Sequence, residues 1–320
     1  MNKKIQSTFI LLLTAMIWGF AFVAQRAGMD FIGPFLFSAL RMFIGCVTLI
    51  PIILLTHGLE KNKSIPDHST CEGNEKLENG TSFARFWLAN KDLFQGGLCA
   101  GVIIFFAANF QQVGLVFTTA AKTGFITTLY IVLVPIFGIL LKHKVGINAW
   151  IGVIIATIGL YFLCLTQALT ISFGDFIVLI GAGFWAAHIL CIDHFVTKVS
   201  ALKLVCLQFF VSGILSFLVA LFTEEISWTA IVQTGPALVY VGVFSSAIAF
   251  TLQAIGQKHA SPTAASIIMS TESVFGAIGG VLILHEVLSV REWTGCILMF
   301  MAIIVTQLPN KKKDKINSSL

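Results

Sequence analysis

The chain has 320 residues, 57% of them hydrophobic and 11% charged, with a formal net charge of +5. Soluble domains carry roughly a quarter charged residues, so a soluble enzyme or binding domain is excluded. The polar residues are clustered and leave continuous apolar runs of about twenty residues, where a membrane β-barrel would alternate in segments of about ten; the spanning elements are therefore helices.

Lys3 and Lys4 precede the first apolar run, 9–27, which is too long for the core of a signal peptide. Further runs follow at 34–56, 93–113, 118–141, 147–167, 174–195, 201–223, 234–256, 262–284 and 292–308. The expected fold is all-α: ten transmembrane helices in two groups of five, 1–167 and 168–310, followed by a basic tail, 311–320. The one long polar insertion, 57–92, is rich in Lys, Glu, Asn and Gly and reads as a loop. Asn79-Gly80-Thr81 within it has the form of a glycosylation acceptor, which a cytoplasmic loop leaves unused. None of the seven cysteines has metal-ligand spacing. Most lie in or beside apolar runs and act as small apolar side chains. No cofactor or metal is expected.

The 118–141 run has a relative near the other end. An offset of 142 carries Gly114 onto Gly256, Ile126 onto Ile268, Val132 onto Val274, Gly138 onto Gly280 and His143 onto His285. Before the insertion the offset is 167, which carries Trp18 onto Trp185. Such duplication is the sequence mark of many secondary transporters. Five helices is an odd number, so the second copy enters the membrane from the opposite side, as an inverted repeat. With the N-terminus inside, the loop cations fall almost entirely inside, among them Lys142, Lys144, Lys198, Lys203, Lys258 and the basic tail; Arg26 and Arg291 fall outside. Both termini and the 57–92 loop are thus expected in the cytoplasm.

Glu272 lies about eleven residues from either end of its run, near the bilayer centre at about 1.5 Å per residue. An ionisable group there is costly and a functional candidate by default; a protonated packing residue is the plain alternative. Its repeat mate is Tyr130, central in the fourth helix. Lys122, about one turn from the outer end of that helix, either snorkels to the headgroups or faces a cavity as a cation that attracts carboxylates. Arg41 reads as structural, pairing with helix-end carbonyls. His188 either relays protons or packs. Asn109, Gln111, Gln112, Gln253 and Gln257, near the ends of the third and eighth helices, must face inward because amides in lipid need partners; they bind substrate or one another. Trp18 and Trp185 hold matching places on the first and sixth helices, as lining or as packing.

Local signals complete the reading. Gly152, Ala156 and Gly159 make a small-residue stripe for close helix approach. Ser261-Pro262 is a helix start, and Thr119 fits the same role. Pro135 should bend the fourth helix.

Ile17-Trp18-Gly19-Phe20, Ala39-Leu40-Arg41-Met42-Phe43, Thr118 to Phe125 with Tyr130 to Pro135, and Ser261 to Ala265 with His285-Glu286 together resemble the drug/metabolite transporter superfamily, most closely its EamA-type branch. The resemblance covers nearly the whole chain apart from 57–92 and the tail. It implies paired five-helix domains in a bacterial inner-membrane permease, commonly an exporter of amino acids and other metabolites. It also implies a pathway between the first, third, fourth, sixth, eighth and ninth helices. Where the family usually reads Glu-Pro, this chain has Glu272-Ser273, which takes away the proline that would kink the ninth helix.

No nucleotide-binding loop, HExxH or GxSxG is present, and Ser172-Phe173-Gly174-Asp175 lacks a second membrane Asp for a catalytic dyad. The expected function is secondary transport of small metabolites such as amino acids, as an exporter, by alternating access. Expected partners are a small-molecule substrate and the bilayer, with no nucleic acid; proton coupling and a homodimer are left open. The alternatives are a drug or toxic-compound exporter on the same scaffold, and a membrane sensor or assembly subunit that moves nothing.

Overall fold

The computed structural model describes residues 3–63, 90–118, 120–164, 172–284 and 288–308. Thr119, Asn79, His285 and the basic tail lie outside the described residues. The first half contains α1 Lys3–Gly28, α2 Pro34–Lys63, α3 Lys91–Phe117, α4 Ala120–Thr128, α5 Tyr130–Leu140 and α6 Ile147–Cys164. The second contains α7 Phe173–Val196, α8 Ala201–Thr223 and α9 Trp228–Val239, a π-helical stretch Tyr240–Phe250, then α10 Thr251–Gln257, α11 Pro262–Met269, α12 Glu272–Leu284 and α13 Val290–Gln307. Nine apolar spans of membrane length occur among the described residues; α11 and α12 together form a further apolar crossing, broken in its middle. Three limits differ from the sequence reading by six residues or more. α1 begins at Lys3. α2 continues to Lys63, past the start of the polar insertion, and the eighth span starts at Trp228.

Polarity is arranged inside out. Phe222 is 88% exposed and Leu140 75%, while Gln208, His188, Ser212 and Ser216 are fully buried. Lipid solvates an aliphatic surface at no cost, whereas a hydroxyl or amide in hydrocarbon needs a partner, so the polar side chains turn to the bundle interior. α13 packs on α6, and α7 on α3. A Cβ on Gly159 would stand 2.9 Å from the Gly295 carbonyl oxygen, and one on Gly295 2.6 Å from that of Gly159. The small-residue stripe therefore lets α6 and α13 touch backbone to backbone.

The interruptions that matter for the site fall between α4 and α5, at Leu129, and between α11 and α12, at Ser270-Thr271. Neither is made by proline. Pro135 sits inside α5, so the expected bend is displaced six residues towards the N-terminus. The ninth crossing breaks although Ser273 replaces the family's proline. Hydroxyls bond locally at both breaks. Ser270 Oγ donates to the Ile267 carbonyl at 2.7 Å and Thr271 Oγ1 to that of Ile268 at 2.6 Å. Thr128 Oγ1 likewise donates to the Gly124 carbonyl at 2.7 Å. Such back-bonds compete with the helical ladder and satisfy the carbonyls that a break leaves open.

Candidate functional site

The two helix breaks meet. Tyr130 is the first residue of α5 and Glu272 the first of α12. The Tyr130 hydroxyl donates to Glu272 Oε1 at 3.3 Å, and Thr128 Oγ1 lies 3.5 Å from the same oxygen. Thr128 and Ser273 hydroxyls are 3.3 Å apart across the junction. Glu272 is 5% exposed and Tyr130 4%. The carboxyl thus stands at the positive end of a short helix with hydroxyl donors in front of it.

α1 presses against this junction from the other side. A Cβ on Gly19 would stand 2.6 Å from the Glu272 carbonyl oxygen and 2.7 Å from the Gly276 nitrogen. Only glycine permits that approach, and it brings Trp18, one residue earlier, to the cavity. Trp18 Nε1 donates to the Ser245 carbonyl at 3.0 Å, within the π-helical stretch, whose wide turns are common at functional sites. Trp18 stands edge-on to Phe250 at 4.9 Å between ring centroids, and Trp185 stacks on Phe250 at 6.0 Å. Trp185 Nε1 donates to Gln111 Oε1 at 2.8 Å.

These groups enclose a cavity of about 40 Å³. Its apolar wall is Trp18, Phe22, Trp185 and Phe250; Gln25, Arg41, Gln111, Thr127 and Ser245 supply the polar wall, with Tyr130 and Glu272. The lining comes from the first, third, fourth, sixth, eighth and ninth crossings, joined by the second through Arg41. The volume holds a few waters and no metabolite, so the central space is narrow in this conformation.

The sequence candidates divide. Glu272, Tyr130, Trp18 and Trp185 line the cavity. Lys122, His188, Asn109, Gln112 and Gln253 are not among its lining residues. Lys122 Nζ is 3.6 Å from Asp175 Oδ2, so the carboxylate within its reach is the protein's own. Asp175 also accepts from the Thr118 hydroxyl and closes a capping box with Ser172 at the start of α7. The fully buried His188 pairs through Nε2 with Gln208 Oε1 at 3.0 Å and stands behind the cavity, edge-on to Trp185 at 5.9 Å. Asn109 donates to Ser216 Oγ at 2.8 Å, tying α3 to α8. Gln112 donates to Met29 Sδ at 3.1 Å. Gln253 is 2% exposed.

The lining residues that sequence reasoning passed over are Gln25, Phe22, Thr127, Ser245 and Phe250. Gln25 and Arg41, sixteen residues apart on two crossings, are joined at 3.3 Å. A polar residue in each of two neighbouring apolar runs is the available signal for them.

Apolar spans with inward polar groups, two broken crossings and a narrow central cavity define a multi-pass helical membrane protein with an internal polar site. The comparison with known families is decisive: the chain belongs to the EamA-like transporter family, which matches residues 6–165 and 172–308. It is a transporter, not an enzyme. Among relatives, an uncharacterized transporter of Archaeoglobus fulgidus is 30% identical over 96% of this chain and 87% of its own length. The uncharacterized transporters YoaV and YwfM of Bacillus subtilis are 22% and 23% identical, over 92% and 98% of this chain and 94% and 97% of theirs. A solved crystal structure shares the fold with a TM-score of 0.71 at 17% identity, covering 97% of this chain and 99% of that one.

Proposed function

We propose that the protein moves small metabolites such as amino acids out of the cell, by alternating access, as a proton antiporter in which Glu272 is the coupling group. The observation that carries this reading is the Tyr130–Glu272 hydrogen bond at the meeting of two helix breaks. A carboxyl at that place exchanges one bound proton for one bound cationic group of the solute. The hydroxyls of Tyr130 and Thr128 face it, and Arg41 is the cation on the same cavity. Lys122 is held by Asp175. Because the central cavity is smaller than an amino acid, the walls must part towards one side of the membrane at a time. Competition between proton and solute for Glu272 then couples their movements in opposite directions.

The frame for this movement is a pair of inverted repeats, 1–167 and 168–310, in a bacterial inner membrane with both termini and the 57–92 loop in the cytoplasm. Support comes from the two family matches and from the two breaks, since the sequence offset of 142 carries Leu129 onto Thr271 as it carries Tyr130 onto Glu272. The bias of Lys and Arg between the loops supports the orientation. The function is tested in proteoliposomes loaded with an amino-acid mixture, with and without an imposed pH gradient. Solute movement against its own gradient, driven by protons, is expected; leak-like flux indifferent to the pH gradient rejects antiport. Reporter fusions at Asn79 and after Pro309 should both give cytoplasmic signals, and a periplasmic signal at either rejects the orientation.

A further inference from the structure

We infer that Arg41 is the carboxylate-binding residue of the central site, and that the transported solutes are small organic acids or zwitterions with an apolar body. The inference deepens the function proposed above and rests on it for the transport step, not for the binding step.

Arg41 projects from α2 and is 3% exposed. Its Nη1 donates to Gln25 Oε1 at 3.3 Å. Its Nε and Nη2 have no hydrogen-bond partner. Those two nitrogens share one edge of the guanidinium, the edge whose parallel N–H groups match the two oxygens of a carboxylate. Arg41 lines the cavity, and the unpartnered edge is on that same side chain. A buried cation without a counter-charge is expensive, and a buried N–H without an acceptor is rare in a native fold. Both costs disappear when an anion enters.

The surroundings narrow the ligand. Thr127 Oγ1, 3% exposed, lines the same cavity and also lacks a partner, so a second donor is available to the same carboxylate. Trp18, Trp185 and Phe250 offer faces and edges to an aliphatic or aromatic body. Glu272 lines the same cavity and suits an ammonium group when it is ionised. The offset of 167 carries Arg41 onto Gln208. Gln208 is satisfied on its oxygen by His188, whose counterpart in the first half is Ala21. Gln208 Nε2 also lacks a hydrogen-bond partner, so both positions keep a buried nitrogen unpaired, but of the two only Arg41 lines the cavity.

The test uses the full chain purified in detergent and the common amino acids, each beside its carboxamide, with 3-phenylpropionate as an acid that lacks the amine. Tryptophan fluorescence reports binding at Trp18 and Trp185. Acids should bind wild type about ten-fold or more tightly than their amides, the scale of a charged hydrogen-bonded pair. Arg41→Gln should erase that preference, and Arg41→Lys should keep part of it. The Tm of Arg41→Gln should equal or exceed that of wild type, because an unpaired buried charge is removed. Equal binding of acid and amide by wild type overturns the assignment. So does a preference that survives Arg41→Gln, with or without a fall in Tm, or no response to any acid tested. Counterflow in proteoliposomes separates the two readings. Arg41-dependent acid binding without flux would leave the site standing and defeat transport, whereas flux indifferent to the carboxylate would do the reverse.

Discussion

Each half of the chain has one broken crossing, and the two breaks differ in chemistry. The same offset that pairs Leu129 with Thr271 pairs Tyr130 with Glu272 and Gln111 with Gln253. Both crossings break at the paired position, yet one break presents a phenol and the other an acid. Gln111 accepts from Trp185, whereas Trp18, the partner of Trp185 at the other offset, donates to a backbone carbonyl and leaves Gln253 Oε1 unpartnered. On the second helix of each half stand Arg41 and Gln208. The breaks fall at positions 142 residues apart, while the acid and the cation come from different halves, Arg41 from one and Glu272 from the other.

Three changes put that comparison under strain. The largest effect is expected at Gly19, where the first crossing touches the start of α12. Gly19→Ala drives a methyl into backbone, which cannot rotate away, so transport should be lost and stability should fall by about 1–3 kcal/mol. Its counterpart at offset 167 is Ala186, fully buried, where Ala186→Gly should cost no more than about 1 kcal/mol. Thermal unfolding in detergent reads both. Equal costs would mean that the crossing in the first half is no tighter than in the second.

Next comes Tyr130→Phe, which deletes one donor to Glu272 and nothing else. One hydrogen bond is worth about 0.5–1.5 kcal/mol, so proton-driven transport should weaken by about two- to ten-fold, with a displaced pH profile. An unchanged profile would detach the first half from the coupling group.

The smallest effect is expected at Lys122–Asp175. A partly exposed ion pair contributes about 0–1 kcal/mol. Lys122→Gln should therefore change the apparent KM little, and adding it to Asp175→Asn should cost nothing further. A large rise in KM for acidic solutes with Lys122→Gln alone would move the substrate's anion site from Arg41 to Lys122.

Much of the fold was legible because lipid imposes a simple rule on composition: long apolar runs must be helices, and their number and order follow. The breaks were not legible. Proline is the visible sign of a kink, and it pointed to Pro135 and away from Ser273. The interruptions fall instead beside Thr128, Ser270 and Thr271, whose hydroxyls bond locally to carbonyls. Serine and threonine occur throughout these helices, and sequence does not say which of them turn back on their own backbone. Glu272 and Tyr130 were legible together, one as an acid at the bilayer centre and the other as its repeat mate. Arg41 was visible and correctly placed about two turns into α2, but its bond to Gln25 and its place in the cavity lining were not legible, since distance from a helix end gives depth and not the face it occupies. The partner of Lys122 lies on another helix, 53 residues along the chain, and only tertiary structure brings Asp175 to it.

The central claim is that Glu272 couples proton movement to solute movement. Proteoliposomes containing wild type or Glu272→Gln, preloaded with a transported amino acid, measure it directly when uptake is followed with and without a pH gradient. Glutamine keeps the shape and hydrogen bonds of the protonated acid and cannot titrate. The account predicts that Glu272→Gln loses gradient-driven accumulation, and that its residual exchange of labelled for unlabelled solute no longer depends on pH. Accumulation by Glu272→Gln with the wild-type pH profile would contradict it and make Glu272 a packing residue.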